Sequence, residues 1–526
     1  MDAGRIRRRA IAFFPALHPD HEGYKWCILL TVMVGTFMVI LDGTIVNVAI
    51  PTIMAAFGIS ISEVVWVSTA YLIALSVLLA MAGWLSDHFG SKKVYMIGLL
   101  IFTASSYLCA ISWNLHALVV FRVLQGIGGG ILIPIGMTLF TKEFTPENRT
   151  KPLGFYSIAI AAAISLGPSF GGYLIEAISW GWIFYVNVPV GIVAFLAAGL
   201  IFKPTRRKEV LAFDVWGLVW LSTFLIALII AISSGNAPWN SEGWTSTYTI
   251  VAFALSLMAF VFFLVVELRS PHPIVDLSVF RDRNFLMGNI VLFIFSFTLF
   301  GSSFLLPLYL QNGLDYSKIR TGLVLLPIGL VQGVFGAFTG WLVKIISPRF
   351  LVLIGIICLG ISYWFNAGFT FYTEESKILW LFAFRGLAMA LMFAPLVSMT
   401  LSNIKEDKMP QATGLFTVQR QIGAVIGVSV FETIFATRQI YHSAAYGEVI
   451  DHHSPIFESV RSVLEQTIYA HFGSNPWQAI EQARLVLHAH IDKQIFIQAI
   501  NDNLLIAGFI TFFSCIPLFF LRKTVK

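Results

Sequence analysis

The sequence predicts an all-α membrane protein with 14 transmembrane helices, arranged as two pseudo-symmetric six-helix bundles with two helices inserted between them. Three observations predict it: apolar runs long enough to cross a bilayer, a strong bias of Lys and Arg toward alternate loops, and short motifs that recur in the same order in both halves.

Composition sets the class. Hydrophobic residues make up 57% and charged residues 12% of 526 positions, with a mean hydropathy of +0.81. Soluble domains carry about 25% charged residues. A hydrocarbon core about 30 Å thick takes about 20 apolar residues per helix, because each backbone amide must bond within its own segment. The formal charge of +6 is dispersed over short loops, which excludes a nucleic-acid partner from the reading. Cys27, Cys109, Cys358 and Cys515 all sit in or beside apolar runs, as small hydrophobes rather than a disulfide or metal framework. The first run is too long for a secretory h-region and lacks a small-residue cleavage site, so it reads as a retained span.

Six runs, 26–48, 64–84, 94–111, 115–140, 152–177 and 182–201, form the first bundle (26–203) behind a tail of residues 1–25. Runs 215–232 and 248–268 lie in an inserted segment, 204–284. Runs 285–310, 322–343, 351–371, 379–401, 412–436 and 504–521 form the second bundle (285–521), with a long loop at 438–503 and a tail at 522–526. An even count puts both termini on one side. The tails and even-numbered loops hold most of the basic residues, among them Arg5, Lys92, Lys142, Arg206, Arg281, Arg349 and Lys523, whereas the short odd-numbered loops hold only Lys318, Arg320 and Lys377. Both termini are therefore expected in the cytoplasm.

The halves repeat. Gly83-Trp84-Leu85, Lys92 and Ile97-Gly98 match Gly340-Trp341-Leu342, Arg349 and Ile354-Gly355 at identical spacing. Phe121-Arg122, Pro134 and Met137-Thr138-Leu139 are followed in kind by Phe384-Arg385, Pro395 and Met399-Thr400-Leu401. Spans two to four thus correspond to spans ten to twelve, as in carriers built from repeats.

Four stretches bear polar or small residues where an apolar run would not need them. Span one ends Leu41-Asp42-Gly43-Thr44-Ile45-Val46-Asn47. An aspartate there is either paired or binds a proton; proton handling and bracing of a bend beside Gly43 and Thr44 are both open. The loop after span two reads Gly83-Trp84-Leu85-Ser86-Asp87-His88-Phe89-Gly90-Ser91-Lys92-Lys93. Span four carries Arg122 and Gln125-Gly126-Ile127-Gly128-Gly129-Gly130; its guanidinium stays charged and must face a partner, an acid or backbone carbonyls. Span five carries Gly154 and Gly167-Pro168-Ser169-Phe170-Gly171-Gly172, small residues that permit close packing around a bend.

With these motifs the chain resembles the major facilitator superfamily, and within it the fourteen-span drug:proton antiporter branch of EmrB/QacA type, over residues 25 to 520. The resemblance implies proton coupling through Asp42 and Arg122, and a cytoplasmic gate motif at Gly83, Asp87, Gly90, Lys92 and Lys93. It also implies an antiporter motif at Gly154, Gly167, Pro168, Gly171 and Gly172. His88 and Ser91 replace basic residues common in the gate motif, and Gly181 stands where relatives usually carry arginine, which predicts a looser anchoring of span six.

Arg385, Arg420 and Glu432 add charge to spans twelve and thirteen. They read either as cavity charges, whose cationic excess favours neutral or weakly acidic substrates, or as braces of the second bundle. In the long loop, Ser454-Pro455 and Ser474-Asn475-Pro476 each signal a helix start. Its histidines, His442, His452, His453, His471, His488 and His490, are too irregularly spaced to predict a metal site.

The resemblance implies a proton-driven exporter of amphiphilic small molecules in the inner membrane, working by alternating access and needing no cofactor beyond the proton gradient. A periplasmic adaptor and an outer-membrane channel are the implied partners of the long loop. A dedicated metabolite or siderophore exporter is the alternative. No nucleophile, acid pair or metal cluster for an enzyme is apparent in the spans.

Overall fold

A computed structural model describes residues 21 and 23–521, apart from 142, 145–149, 204–213, 236–239, 272, 274–276, 405–408, 450–454 and 473–475. The expected N-tail up to 20, the basic residues Arg206, Arg207 and Lys208, the helix-start residues Ser454, Ser474 and Asn475, and the C-tail lie outside the described residues.

The first half comprises α1 (Tyr24–Phe57), α2 (Ile61–Phe89), α3 (Ser91–Ala110), α4 (Leu115–Thr141), α5 (Thr150–Ala177), the single turn α6 (Trp182–Tyr185) and α7 (Asn187–Ile201). The inserted pair is α8 (Val215–Ser234) and α9 (Thr247–Arg269). The second half comprises α10 (Arg283–Leu308), α11 (Lys318–Ile345), α12 (Pro348–Asn366), α13 (Glu375–Leu401), α14 (Met409–Val449), α15 (Pro455–Phe472), α16 (Pro476–Phe513) and the short α17 (Cys515–Phe519). Among the described residues, 12 helical segments are long and apolar enough to cross a membrane. The other two predicted spans fall on α5 and α14, helices of 28 and 41 residues. The chain is a multi-pass membrane protein.

Local chemistry fixes the helix ends. Gly58, at φ +65°, turns the chain out of α1. Ser60 and Glu63 form a capping box at the start of α2, with the Ser60 amide 2.8 Å from the Glu63 carboxylate. Gly90, at φ +89°, makes the sharp link from α2 to α3 that a residue with a Cβ would strain. The Asp214 carboxylate accepts from the Gly217 amide at 2.7 Å to start α8, and Asp282 does the same for Phe285 at 2.8 Å to start α10.

Helix packing depends on missing side chains. A Cβ on Gly126 would stand 2.9 Å from Ala74 and one on Gly130 2.9 Å from Leu78, so this face of α4 lies directly on α2. Gly128, on the opposite face, would meet the Phe102 amide of α3 at 2.6 Å. The sequence repeat has a packing counterpart: Gly98 of α3 lies against Ile131 of α4, as Gly355 of α12 lies against Met392 of α13. The halves meet along two seams, α5 against α11 and α2 against α14, and α8 packs on α9, α14 and α2.

The two helix starts expected in the long loop open α15 at Pro455 and α16 at Pro476. α14 continues to Val449 instead of ending at residue 436, and the second amphipathic helix and the last span form one helix, α16. Between Trp477 and Ala507 the chain has no Gly or Pro and is rich in Ala, Gln, Leu and Ile, so nothing stops the helix where its polar turns meet the apolar ones.

Candidate functional site

Asp42, just past the midpoint of α1, is fully buried, as are Arg122 and Gln125 of α4 and Asn187 at the start of α7. Arg122 places Nη1 2.5 Å from Asp42 Oδ2, and Gln125 and Asn187 donate to Oδ1 at 2.8 and 3.0 Å. Gln125, one helical turn after Arg122, accepts from Arg122 Nη1 at 2.7 Å and donates to Ser106 of α3 at 2.7 Å. Arg122 Nε reaches the Val67 carbonyl of α2 at 3.0 Å. The guanidinium lies 3.9 Å from the centre of the Tyr71 ring, whose hydroxyl donates to the Val39 carbonyl at 3.2 Å.

One carboxylate thus ties together α1, α4 and α7, and through Arg122 and Gln125 also α2 and α3. The arrangement answers the cost of burying a charge: both carboxylate oxygens are occupied and the guanidinium has acceptors on two sides. Removing either charge leaves its partner uncompensated. Of this set, the sequence singles out Asp42 and Arg122 as charges within apolar spans. Ser106, Tyr71, Val67 and the pairing role of Asn187 were not anticipated, although a polar residue three positions after Arg122 was a visible signal.

The glycines of α5 form a second constellation beside the first. Gly167 faces Thr44, with an added Cβ 2.9 Å from Thr44 Cβ, and Gly171 faces Ile45 Cγ1 at 2.5 Å. Gly172 faces the other way, where an added Cβ would meet the Lys318 carbonyl carbon of α11 at 2.7 Å. Gly322 of α11 returns the contact against Ser169 Cα at 2.6 Å, and the Ser169 hydroxyl donates to the Gly322 carbonyl at 2.9 Å. Pro168, within α5, offers its backbone to the same joint. The surroundings of Gly154 lie outside the described residues.

In the stretch expected as a gate, the side-chain surroundings of Gly83 and Asp87 also lie outside the described residues. Lys92 donates to the carbonyls of Gly199 and Phe202 at 2.7 and 2.5 Å, so it caps the end of α7 within the same half. Lys93 is exposed, and His88 stacks on Trp84 at 4.8 Å. Gly181 presses on the end of α3, where an added Cβ would lie 2.7 Å from the Ala110 carbonyl oxygen; glycine here brings α6 close.

The remaining charges are not brought to one place. Arg385 is fully buried and donates through Nη2 to Ser302 at 2.6 Å, while Nε and Nη1 have no partner among the described residues. Glu432 is buried on α14 with hydrogen bonds to Ser62 of α2 and to Thr433, and its Oε1 is unpartnered. Arg420 is partly buried, with Nε unpartnered among the described residues. Among the described residues, no three His, Cys, Asp or Glu side chains gather as a metal site.

The family model described as Major Facilitator Superfamily matches residues 32–428, a stretch that includes Asp42, Arg122 and the α5 glycines. The chain belongs to the Major Facilitator Superfamily. It is a transporter and not an enzyme. The multidrug export protein EmrB of Haemophilus influenzae is 33% identical over 456 residues, covering 85% of this chain and 88% of that protein. EmrB of Escherichia coli K12 is 30% identical over 500 residues, covering 93% and 96%. Among solved structures, the bacterial homolog of the human lysosomal transporter Spinster, in an inward-facing and unoccupied conformation, superposes with a TM-score of 0.62. At 14% identity, with 96% of this chain and 98% of that one covered, it shares the superfamily fold.

Proposed function

We propose that the chain is a proton-driven multidrug exporter of hydrophobic or amphiphilic small molecules, working by alternating access between two six-helix bundles, with 14 spans and both termini in the cytoplasm. The substrate class follows its relatives, multidrug export proteins at 30 and 33% identity. Proton coupling rests on one observation: Asp42, with no solvent exposure, is held as half of an ion pair.

Protonating Asp42 would remove the acceptor that Arg122, Gln125 and Asn187 share, so α1, α4 and α7 lose a common anchor. Thr44 and Ile45, just beyond Asp42, are the surface on which Gly167 and Gly171 of α5 ride. α5 in turn interlocks with α11 through Gly172 and Gly322. The proton site is therefore adjacent to a joint that alternating access must open. With the orientation given by Lys and Arg, this joint and the bond from Gln311 to the Val48 carbonyl at 3.0 Å lie at the external ends of the helices. This conformer is then closed to the outside.

The exposed side chains Val463, Tyr469, Leu485 and Val486 on α15 and α16 support contact with a periplasmic adaptor leading to an outer-membrane channel. In the test, proteoliposomes under an imposed pH gradient export a fluorescent dye with the intact chain and fail to with Asp42→Asn. Equal rates would remove Asp42 from coupling. A carrier that moves a single metabolite or siderophore and no dyes would instead be the dedicated exporter.

A further inference from the structure

We infer that the inserted pair α8 and α9 completes a second binding site, apart from the Asp42 region, for a free single-chain amphiphile with an anionic head. A cavity of about 510 Å³ opens between the end of α8, Trp244 just before α9, α14 and α16. Ile232, Trp244, Val430, Ile434 and Ile506 line it, and Arg438 stands at its rim. The size falls within the range of about 300–1,000 Å³ usual for small-molecule sites.

Its walls are fixed before any ligand arrives. Gly235 lies under the Trp244 indole, and an added Cβ would stand 2.5 Å from Trp244 Cδ2, so only glycine lets the ring sit there. Asn240 Nδ2 donates to the carbonyls of Ser234 and Gly243 at 2.8 Å each, Gly243 takes φ +58°, and the hydroxyls of Ser234 and Thr249 lie 2.9 Å apart. These bonds engage Ser234, Asn240 and Thr249 with one another and with the backbone, and the Trp244 ring faces the cavity. Thr433 Oγ1 donates to the Ile232 carbonyl at 3.3 Å and holds α14 to α8.

Charge selects the head group. Arg438 is 41% exposed and meets Asp502 through Nε at 3.5 Å. The nearer partner of that carboxylate is His442, at 2.8 Å. The guanidinium is part-exposed beside an apolar pocket and meets its carboxylate only through one long contact, which leaves it able to take a carboxylate or sulfate on an alkyl tail. One cation and one cavity fit a single chain rather than a diacyl lipid.

The test uses the full chain in phosphatidylcholine nanodiscs, with quenching of tryptophan fluorescence by 9,10-dibromostearate. The Trp244 contribution is the difference between the intact chain and Trp244→Phe. It should quench saturably; Arg438→Gln should weaken the half-saturation by about tenfold or more, with Arg438→Lys in between. Ile434→Phe, which fills the pocket and leaves the charge, should abolish saturation. The methyl ester of the same acid should give only gradual, unsaturable quenching. Saturable quenching insensitive to Arg438→Gln, or quenching at Trp244 no different from bulk partitioning, overturns the site. Saturation by dibrominated phosphatidylglycerol and not by dibromostearate overturns the single-chain assignment. No pH gradient is imposed, so the result is independent of whether Asp42 couples transport.

Discussion

Arg122 and Asp42, 80 residues apart in the chain, meet through Nη1 and Oδ2 at 2.5 Å in a part of the protein that water does not reach. Such a pair is expensive to break from one side. Arg122→Met should destabilise the protein by about 3–5 kcal/mol, because it leaves a buried carboxylate without its cation. Arg122→Met combined with Asp42→Asn should recover most of that loss. Steric-trap unfolding in bicelles measures both; additive losses in the double variant would contradict the pairing.

Among the described residues Arg385 has no such partner, and the opposite outcome is expected. Its guanidinium donates to Ser302 and lies 4.8 Å from the Tyr363 ring centre, with Nε and Nη1 unpartnered. Replacing an uncompensated buried cation by an apolar side chain of similar volume removes a desolvation cost. Arg385→Met should leave stability unchanged or raise it by about 1–4 kcal/mol in the same unfolding assay. A clear loss would mean that the guanidinium has an acceptor in the working protein.

The Gly172 and Gly322 interlock predicts a conformational shift rather than a folding defect. Alanine at either position pushes α5 from α11, at a cost of about 1–3 kcal/mol to the closed joint, which moves the equilibrium by about 5- to 150-fold. A cysteine at Ser169 should become correspondingly more reactive toward an externally added, membrane-impermeant maleimide in Gly172→Ala. Unchanged labelling would show that the joint gives elsewhere.

Glycines inside helices should divide by what stands beside them. Gly128→Ala would drive a methyl group into the Phe102 backbone of α3 and should cost at least about 1–3 kcal/mol. Gly336 of α11 has nothing within 4 Å of an added Cβ, so Gly336→Ala should stabilise by about 0.5–1 kcal/mol through helix propensity alone. Thermal melting of the two variants in one detergent, with shifts of opposite sign, checks this.

Much of this was legible in the sequence, for reasons specific to membranes. A helix must bond all its amides internally, so the ends of α3, α4, α7 and α9 fall within a few residues of the apolar runs that predict them. Asp42 and Arg122 were conspicuous because charge in an apolar span demands an explanation. Asn187 was harder to assign, because an amide costs far less than a charge to bury and its partner lies 145 residues away. That the Lys92 amine also reaches the carbonyl end of α7 was not legible, because only the folded half brings that contact within range. The joined helix α16 was missed because hydropathy marks where a span leaves the apolar layer, not where the helix stops.

The most direct test of proton coupling is to count protons on the protein itself. In weakly buffered detergent solution, adding a dye that the intact chain exports should release protons, read with a pH-sensitive fluorophore, and the same dye should release none from Asp42→Asn although it still binds. Equal release from the two proteins would contradict Asp42 as the group that exchanges a proton for substrate.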